Sequence, residues 1–268
     1  VIGMLTASVA TGQLAFLPLL ATITERYGWR VALGFVCVML GVAAFAVLML
    51  MRDRPSDVGL RPFGDNGTAP LPAPPPANAP IMAAALGTLR ESSKSSVFWI
   101  LFATFFVCGA STNGLVQVHL IPMCLDFGIP QVQAASLLAA MGIFDFFGTI
   151  ISGWLSDRYD NRYLLFWYYG LRGLSLLYLP YSDFTFYGLS LFAMFYGLDW
   201  IATVPPTVRL TAQKFGPERA NLVFGWIFAG HQLGAGAAAF GAGVSRTVYQ
   251  SYLPAFFVAG ALCMFAAL

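Results

Sequence analysis

Long apolar runs separated by short polar connections dominate the sequence. Eight stretches, roughly 2–23, 31–51, 97–119, 132–155, 163–181, 185–208, 221–244 and 252–268, are predominantly apolar. Each approaches the ~20 residues that a membrane-crossing helix needs. Most connections are brief and rich in Gly, Pro, Asp and Arg, which predicts helices folded back and forth across a bilayer. One connection, 52–95, is long and holds seven prolines between Pro62 and Pro80. Such a Pro/Ala tract reads as an extended linker, parting two spans from six. Within it, 81–94 has the pattern of a short amphipathic helix at the membrane surface. The pattern therefore divides the chain into 1–51, 52–95 and 96–268.

Composition narrows the class. Of 268 residues, 58% are hydrophobic and 10% charged, and mean hydropathy is +0.73. Soluble domains carry about 25% charged residues, so a water-soluble enzyme, a disordered chain and a nucleic-acid binder are all excluded. The net charge of +2 matters less than its placement. Ten Lys/Arg residues fall on the side of the 52–95 linker, three on the other side, and Arg172 lies inside a span. By the excess of basic residues in cytoplasmic loops, the linker is cytoplasmic, and the sequon Asn66-Gly67-Thr68 is out of reach of glycosylation. Cys37, Cys108, Cys124 and Cys263 lie far apart in apolar context. With no CxxC and no Cys/His ligand spacing, free buried thiols are expected, with no metal and no cofactor. The sequence opens Val1-Ile2-Gly3, shows no signal peptide and ends at Ala267-Leu268 within an apolar run. We read it as an internal piece of a longer membrane protein.

Ionisable groups inside the spans are the candidate chemistry. A charge at the centre of a membrane helix costs about 2.5–3.5 kcal/mol on insertion scales, so it has a partner or a job. Asp145, Arg172, Asp199 and His231 fall near span midpoints, and His119 nearer the outer end of its span. Two carboxylates face one guanidinium. If Arg172 neutralises one Asp, burial favours the protonated form of the other, which is the property a proton-coupled carrier uses. Alternatively, Arg172 binds a substrate carboxylate through its two-pronged fork. Asp199 precedes Trp200, Thr203, Pro205 and Pro206, and the two prolines remove two backbone donors from that helix. His231 beside Gln232 suits proton sensing or a structural hydrogen bond. Asn113 and Gln117 share a helical face, with His119 close by; they suit a polar pathway or interhelical bonding. Gly230 and Gly234 form a GxxxG seam.

The loop Gly153-Trp154-Leu155-Ser156-Asp157-Arg158-Tyr159-Asp160-Asn161-Arg162 resembles the G-x-x-x-D-R-x-x-x-R loop of the major facilitator superfamily. In that family the loop joins the second and third helices of each six-helix half, and here it joins the second and third spans after the linker. Arg52 through Pro62 resembles the start of the central loop in bacterial relatives of monocarboxylate and oxalate/formate carriers, and Tyr27-Gly28-Trp29-Arg30 the outer loop between the fifth and sixth helices. The resemblance implies an all-α helical bundle with about eight of twelve transmembrane helices present, helices five to twelve. On that reading 1–51 closes the N-terminal bundle, 52–95 is the central loop and 96–268 is the C-terminal bundle, with the first four helices supplied by the missing part of the same protein. Gly3 and Gly12 match the first glycines of the fifth-helix antiporter motif, but Phe16 and Leu17 replace its Gly-Pro, so that motif does not support antiport. Asp145, Asp199, His231 and the Asn113, Gln117, His119 group then lie on cavity-type helices, and Arg172 on the peripheral ninth. Animal monocarboxylate carriers place an Asp and an Arg one turn apart on the eighth helix; here Thr149 follows Asp145. Gly153, Asp157, Arg158 and Arg162 are expected to form a conformational latch, with Arg158 and Arg162 bridging to Asp157 or to a neighbouring helix end.

The function this implies is secondary transport by alternating access in a bacterial cytoplasmic membrane. The expected partners are the lipid bilayer and a small organic anion such as a monocarboxylate, moved with protons or by exchange. A carrier of an unrelated solute and a non-transporting receptor on the same scaffold are the alternatives. No GxSxG, HExxH, Cys–His pairing or Walker lysine is present, which argues against an enzyme.

Overall fold

In the computed structural model, residues 2–52, 55–61 and 81–268 are described, with side chains described from residue 15 onward in the first helix, apart from Gly12. The Pro-rich tract 62–80, together with Asp53 and Arg54, lies outside them. Chain contacts define two compact units, 1–21 with 84–268, and 22–83.

Every regular element among the described residues is helical. An apolar solvent leaves the backbone no alternative but to satisfy its polar groups internally. The helices are α1 (Ile2–Tyr27), α2 (Trp29–Leu50), α3 (Ile81–Ser92), α4 (Ser96–Gly109), α5 (Gln117–Asp126), α6 (Gln131–Ser156), α7 (Asn161–Tyr178), α8 (Phe186–Asp199), α9 (Val204–Phe215), α10 (Pro217–Tyr249) and α11 (Leu253–Ala267). A stretch of wider, π-type winding, Ala110–Val116, joins α4 to α5 without a break.

Among the described residues, five stretches are long and apolar enough to cross a membrane: Trp29–Leu50, Ser96–Asp126, Gln131–Ser156, Phe186–Phe215 and Pro217–Tyr249. The remaining predicted spans are helical but do not meet that standard on described residues. Tyrosines and Arg172 dilute the apolar character of α7, and α11 is a shorter apolar helix of 15 residues. The predicted helix at 81–94 is present as α3. Its Ala85 carbonyl accepts a hydrogen bond from the Trp226 indole on α10 at 3.0 Å.

Local signals set the ends. Asp160 caps α7 by accepting from the Arg162 N–H at 2.9 Å, and Thr185 caps α8 through Gly188 N–H at 3.0 Å. A single residue, Gly216, turns α9 into α10 at φ 84°, a left-handed conformation that glycine adopts at little cost.

Three helix pairs form the frame of the larger unit, and glycines bring each pair close. A Cβ built at Gly109 would lie 1.9 Å from the His231 carbonyl oxygen, and one at Gly234 2.0 Å from that of Phe106, so α4 and α10 touch backbone to backbone. The same holds for α6 and α8 at Gly148, whose Cβ would lie 1.9 Å from the Leu198 oxygen, and for α7 and α11 at Gly173, 2.9 Å from the Gly260 oxygen. Small residues permit such approach where burial of apolar area gives helices no reason to associate. Cys108, Cys124 and Cys263 are free and buried as expected, whereas Cys37 is free but exposed on α2.

Candidate functional site

The helix that the sequence places over 185–208 is broken at residues 200–203, between α8 and α9. Pro205 and Pro206 explain the break, because an unbroken helix would need their N–H groups to reach the carbonyls of Ile201 and Ala202. Instead Val204 N–H tightens onto the Ile201 carbonyl at 2.9 Å. The Ala202 carbonyl accepts from the Ser152 hydroxyl of α6 at 2.5 Å.

Arg172 secures the other side of the break. Its Nη2 donates to the Asp199 carbonyl at 2.5 Å and to the Trp200 carbonyl at 3.0 Å. Its Nε donates to Asp199 Oδ2 at 2.9 Å, and Nη1 to the Cys108 sulfur of α4 at 3.1 Å. The guanidinium is 0% exposed, and all three of its nitrogens are engaged within the protein. Of the two arrangements open from sequence, this is the one in which Arg172 pairs with an Asp. Cys108 in turn shares a 3.4 Å contact with the Thr203 hydroxyl. Three helices, α4, α6 and α7, thus converge on the non-helical turn between α8 and α9.

Asp145 completes the arrangement from α6. Its Oδ1 accepts from the Ile201 N–H and from the Thr149 hydroxyl, each at 2.9 Å. Both donors are neutral, and among the described residues no basic side chain forms an ion pair with Asp145. The two carboxylates therefore flank the same break in different company, Asp199 with a cation and Asp145 with neutral dipoles. Two buried polar atoms here have no hydrogen-bond partner among the described residues, Asp199 Oδ1 and His231 Nδ1.

The other candidates are dispersed around this centre. His231 is buried on α10, its ring stacked on Phe228 with centroids 5.2 Å apart and within electrostatic reach of Cys108. Asn113 is half-buried in the π-type stretch and Gln117 is exposed, while His119 is buried on another face. There His119 Nε2 donates to the Ala239 carbonyl at 2.9 Å, tying α5 to α10. The structure thus separates His119 from the Asn113–Gln117 pair.

The loop after α6 differs from expectation in its pairing. Asp157 accepts from Arg209 of α9, not from Arg158 or Arg162. Arg158 instead lies over the Trp154 ring, 4.1 Å from its centroid, and Arg162 pairs with Asp160 at 3.5 Å. Position explains the change. Asp160, not Asp157, sits at the start of α7 and holds Arg162 locally, leaving Asp157 to Arg209 midway along α9. Gly153 is half-buried one turn before.

Sequence reasoning missed Ser152, Cys108 and Arg209. Ser152 had a readable signal: Asp145, Thr149, Ser152 and Ser156 recur at four, three and four residues, a polar stripe on an otherwise apolar helix, and all four are buried.

Comparison with known proteins decides the family. The model described as Major Facilitator Superfamily matches residues 1–239. The chain belongs to the Major Facilitator Superfamily. Members of this superfamily are carriers, not enzymes. The chain is similar to an uncharacterized MFS-type transporter, YcxA, of Bacillus subtilis (strain 168), 24% identical over 263 residues, covering 94% of this chain and 58% of the relative. It is also similar to monocarboxylate transporter 12-B of Danio rerio, 26% identical over 256 residues, covering 84% and 50%. Monocarboxylate transporter 13 of Bos taurus is 26% identical over 268 residues, covering 98% and 57%. The chain thus spans about half the length of the curated relatives it matches. Membership and the five apolar helical stretches make it part of an integral, multi-pass membrane protein.

Proposed function

We propose that the complete protein is a secondary carrier that moves a small organic anion, such as a monocarboxylate, together with protons. On this reading the helices are the fifth to twelfth of twelve, 1–51 ends the N-terminal bundle, 52–95 is a cytoplasmic connection and 96–268 is the C-terminal bundle in a bacterial cytoplasmic membrane. The substrate class is supported by the printed names of two similar proteins, both monocarboxylate transporters.

One observation carries the proton coupling. Arg172 commits its guanidinium to Asp199 and the helix break, so Asp145 is the buried carboxylate held by neutral donors alone. A carboxylate in that setting exchanges a proton without breaking an ion pair. Its two donors belong to α6 itself and to the broken turn, so gain or loss of a proton at Asp145 changes how firmly that turn is held. Arg172 acts as the brace of the break, and Asn113, Gln117 and His231 as polar groups near the pathway.

The test is the full-length protein in liposomes with an internal pH dye. A panel of small carboxylates, with neutral solutes as controls, is expected to acidify the lumen only when a carboxylate is added outside. Uptake of labelled carboxylate with no pH change removes the proton coupling. Absence of carboxylate uptake removes the substrate class.

A further inference from the structure

A groove runs between α7 and α8 on the larger unit, with a cavity volume of about 460 Å³. That lies within the ~300–1,000 Å³ of small-ligand sites. Its walls are apolar and exposed, with Leu171 and Leu174 on one side and Leu191 and Phe195 on the other. Asp199 and Tyr168 also line it. Apolar walls of this kind match a hydrocarbon chain entering from the bilayer.

Its polar end is unusual. Asp199 gives one carboxylate oxygen to Arg172, while Oδ1 is buried without a donor. A buried acceptor left unpaired is costly, and native structures explain such atoms by a partner. Tyr168 is half-buried and within electrostatic reach of Asp199. Two acidic side chains, Asp145 and Asp199, meet at the helix break, where among the described residues the guanidinium of Arg172 pairs with Asp199 alone. The complementary head group is therefore a cation that carries an N–H donor.

We propose that the α7–α8 groove binds a single-chain alkylammonium amphiphile from the membrane, its chain between Leu174 and Phe195 and its N–H group on Asp199 Oδ1. Oδ1 is closed to water, so the head group reaches it only as the groove opens at Asp199. The site needs no transport step and stands apart from the substrate reading above.

The test is direct binding to the full-length protein in phosphatidylcholine nanodiscs. Radiolabelled dodecylamine is compared with dodecyltrimethylammonium, which has the same chain and charge but no N–H donor, and protein-free discs report simple partition. Saturable binding of one dodecylamine per protein, about tenfold stronger than its trimethylated analogue, is expected from one hydrogen bond to a charged group. Leu174→Trp, which fills the groove, should abolish the saturable component; Leu191→Trp on the facing wall serves if the first variant does not fold. Equal binding of the two head groups overturns the proposal, as does binding that survives a folded groove-filling variant or never exceeds partition. Because the readout is binding, its failure is distinct from a failure of carboxylate transport.

Discussion

The Ser152 hydroxyl on α6 donates to the carbonyl of Ala202 at 2.5 Å, taking the place of a backbone N–H that Pro206 lacks. The relationship predicts a coupled pair. Ser152→Ala alone should destabilise the protein by about 1–3 kcal/mol, the cost of stranding a buried acceptor. In a Pro206→Ala background the new N–H can reach Ala202, and the same Ser152→Ala change should cost clearly less. Thermal unfolding of the four purified proteins measures the coupling, and equal costs in both backgrounds would contradict it.

Arg172 and Asp199 form a buried ion pair. Removing one partner leaves the other charge buried, so Arg172→Met should cost about 3–5 kcal/mol. Removing both charges at once, as Arg172→Met with Asp199→Leu, should recover part of that loss, although the carbonyls of Asp199 and Trp200 lose their donor in either case. Denaturation in detergent orders the two variants.

Glycines divide into two groups that a substitution scan separates. Gly148→Ala would force a methyl against the Leu198 carbonyl, and should cost about 1–3 kcal/mol or part α6 from α8. Gly170→Ala on α7 meets nothing within 4 Å and should be neutral or stabilise by up to about 1 kcal/mol through helix propensity. Melting temperatures of the two variants should move in opposite directions or differ by several degrees.

The Asp157–Arg209 pair has side chains 67% and 41% exposed, so its loss should change stability by no more than about 1 kcal/mol. Any larger effect should appear in conformational populations, because the pair joins the end of α6 to α9. Asp157→Asn and Arg209→Gln are each expected to shift the inward/outward distribution measured by spin-label distances, and the exchanged pair Asp157→Arg with Arg209→Asp to restore it. Unchanged distances in both single variants would leave the pair without a conformational role.

The sequence exposes its fold readily, because apolar length is enough to mark a membrane helix. It also marks the break after Asp199, since two adjacent prolines remove two donors wherever they fall. What it hides is the identity of the substitutes. Ser152 is fifty residues from the carbonyl it serves and Cys108 sixty-four from Arg172, and no local pattern links them. The π-type winding at Ala110–Val116, where Gly109 and Gly114 seat against α10, is equally silent. The charged loop shows the same limit. Its residues are recognisable, but Asp157 chooses Arg209 only once the end of α6 lies beside the middle of α9.

The central claim is that Asp145 carries the coupled proton. The most direct measurement compares net carboxylate uptake with carboxylate exchange in liposomes holding full-length Asp145→Asn. The account predicts that net, proton-linked uptake is lost, while exchange of internal for external carboxylate continues because Arg172 still braces the break. Net uptake with an unchanged pH signal in Asp145→Asn would contradict it.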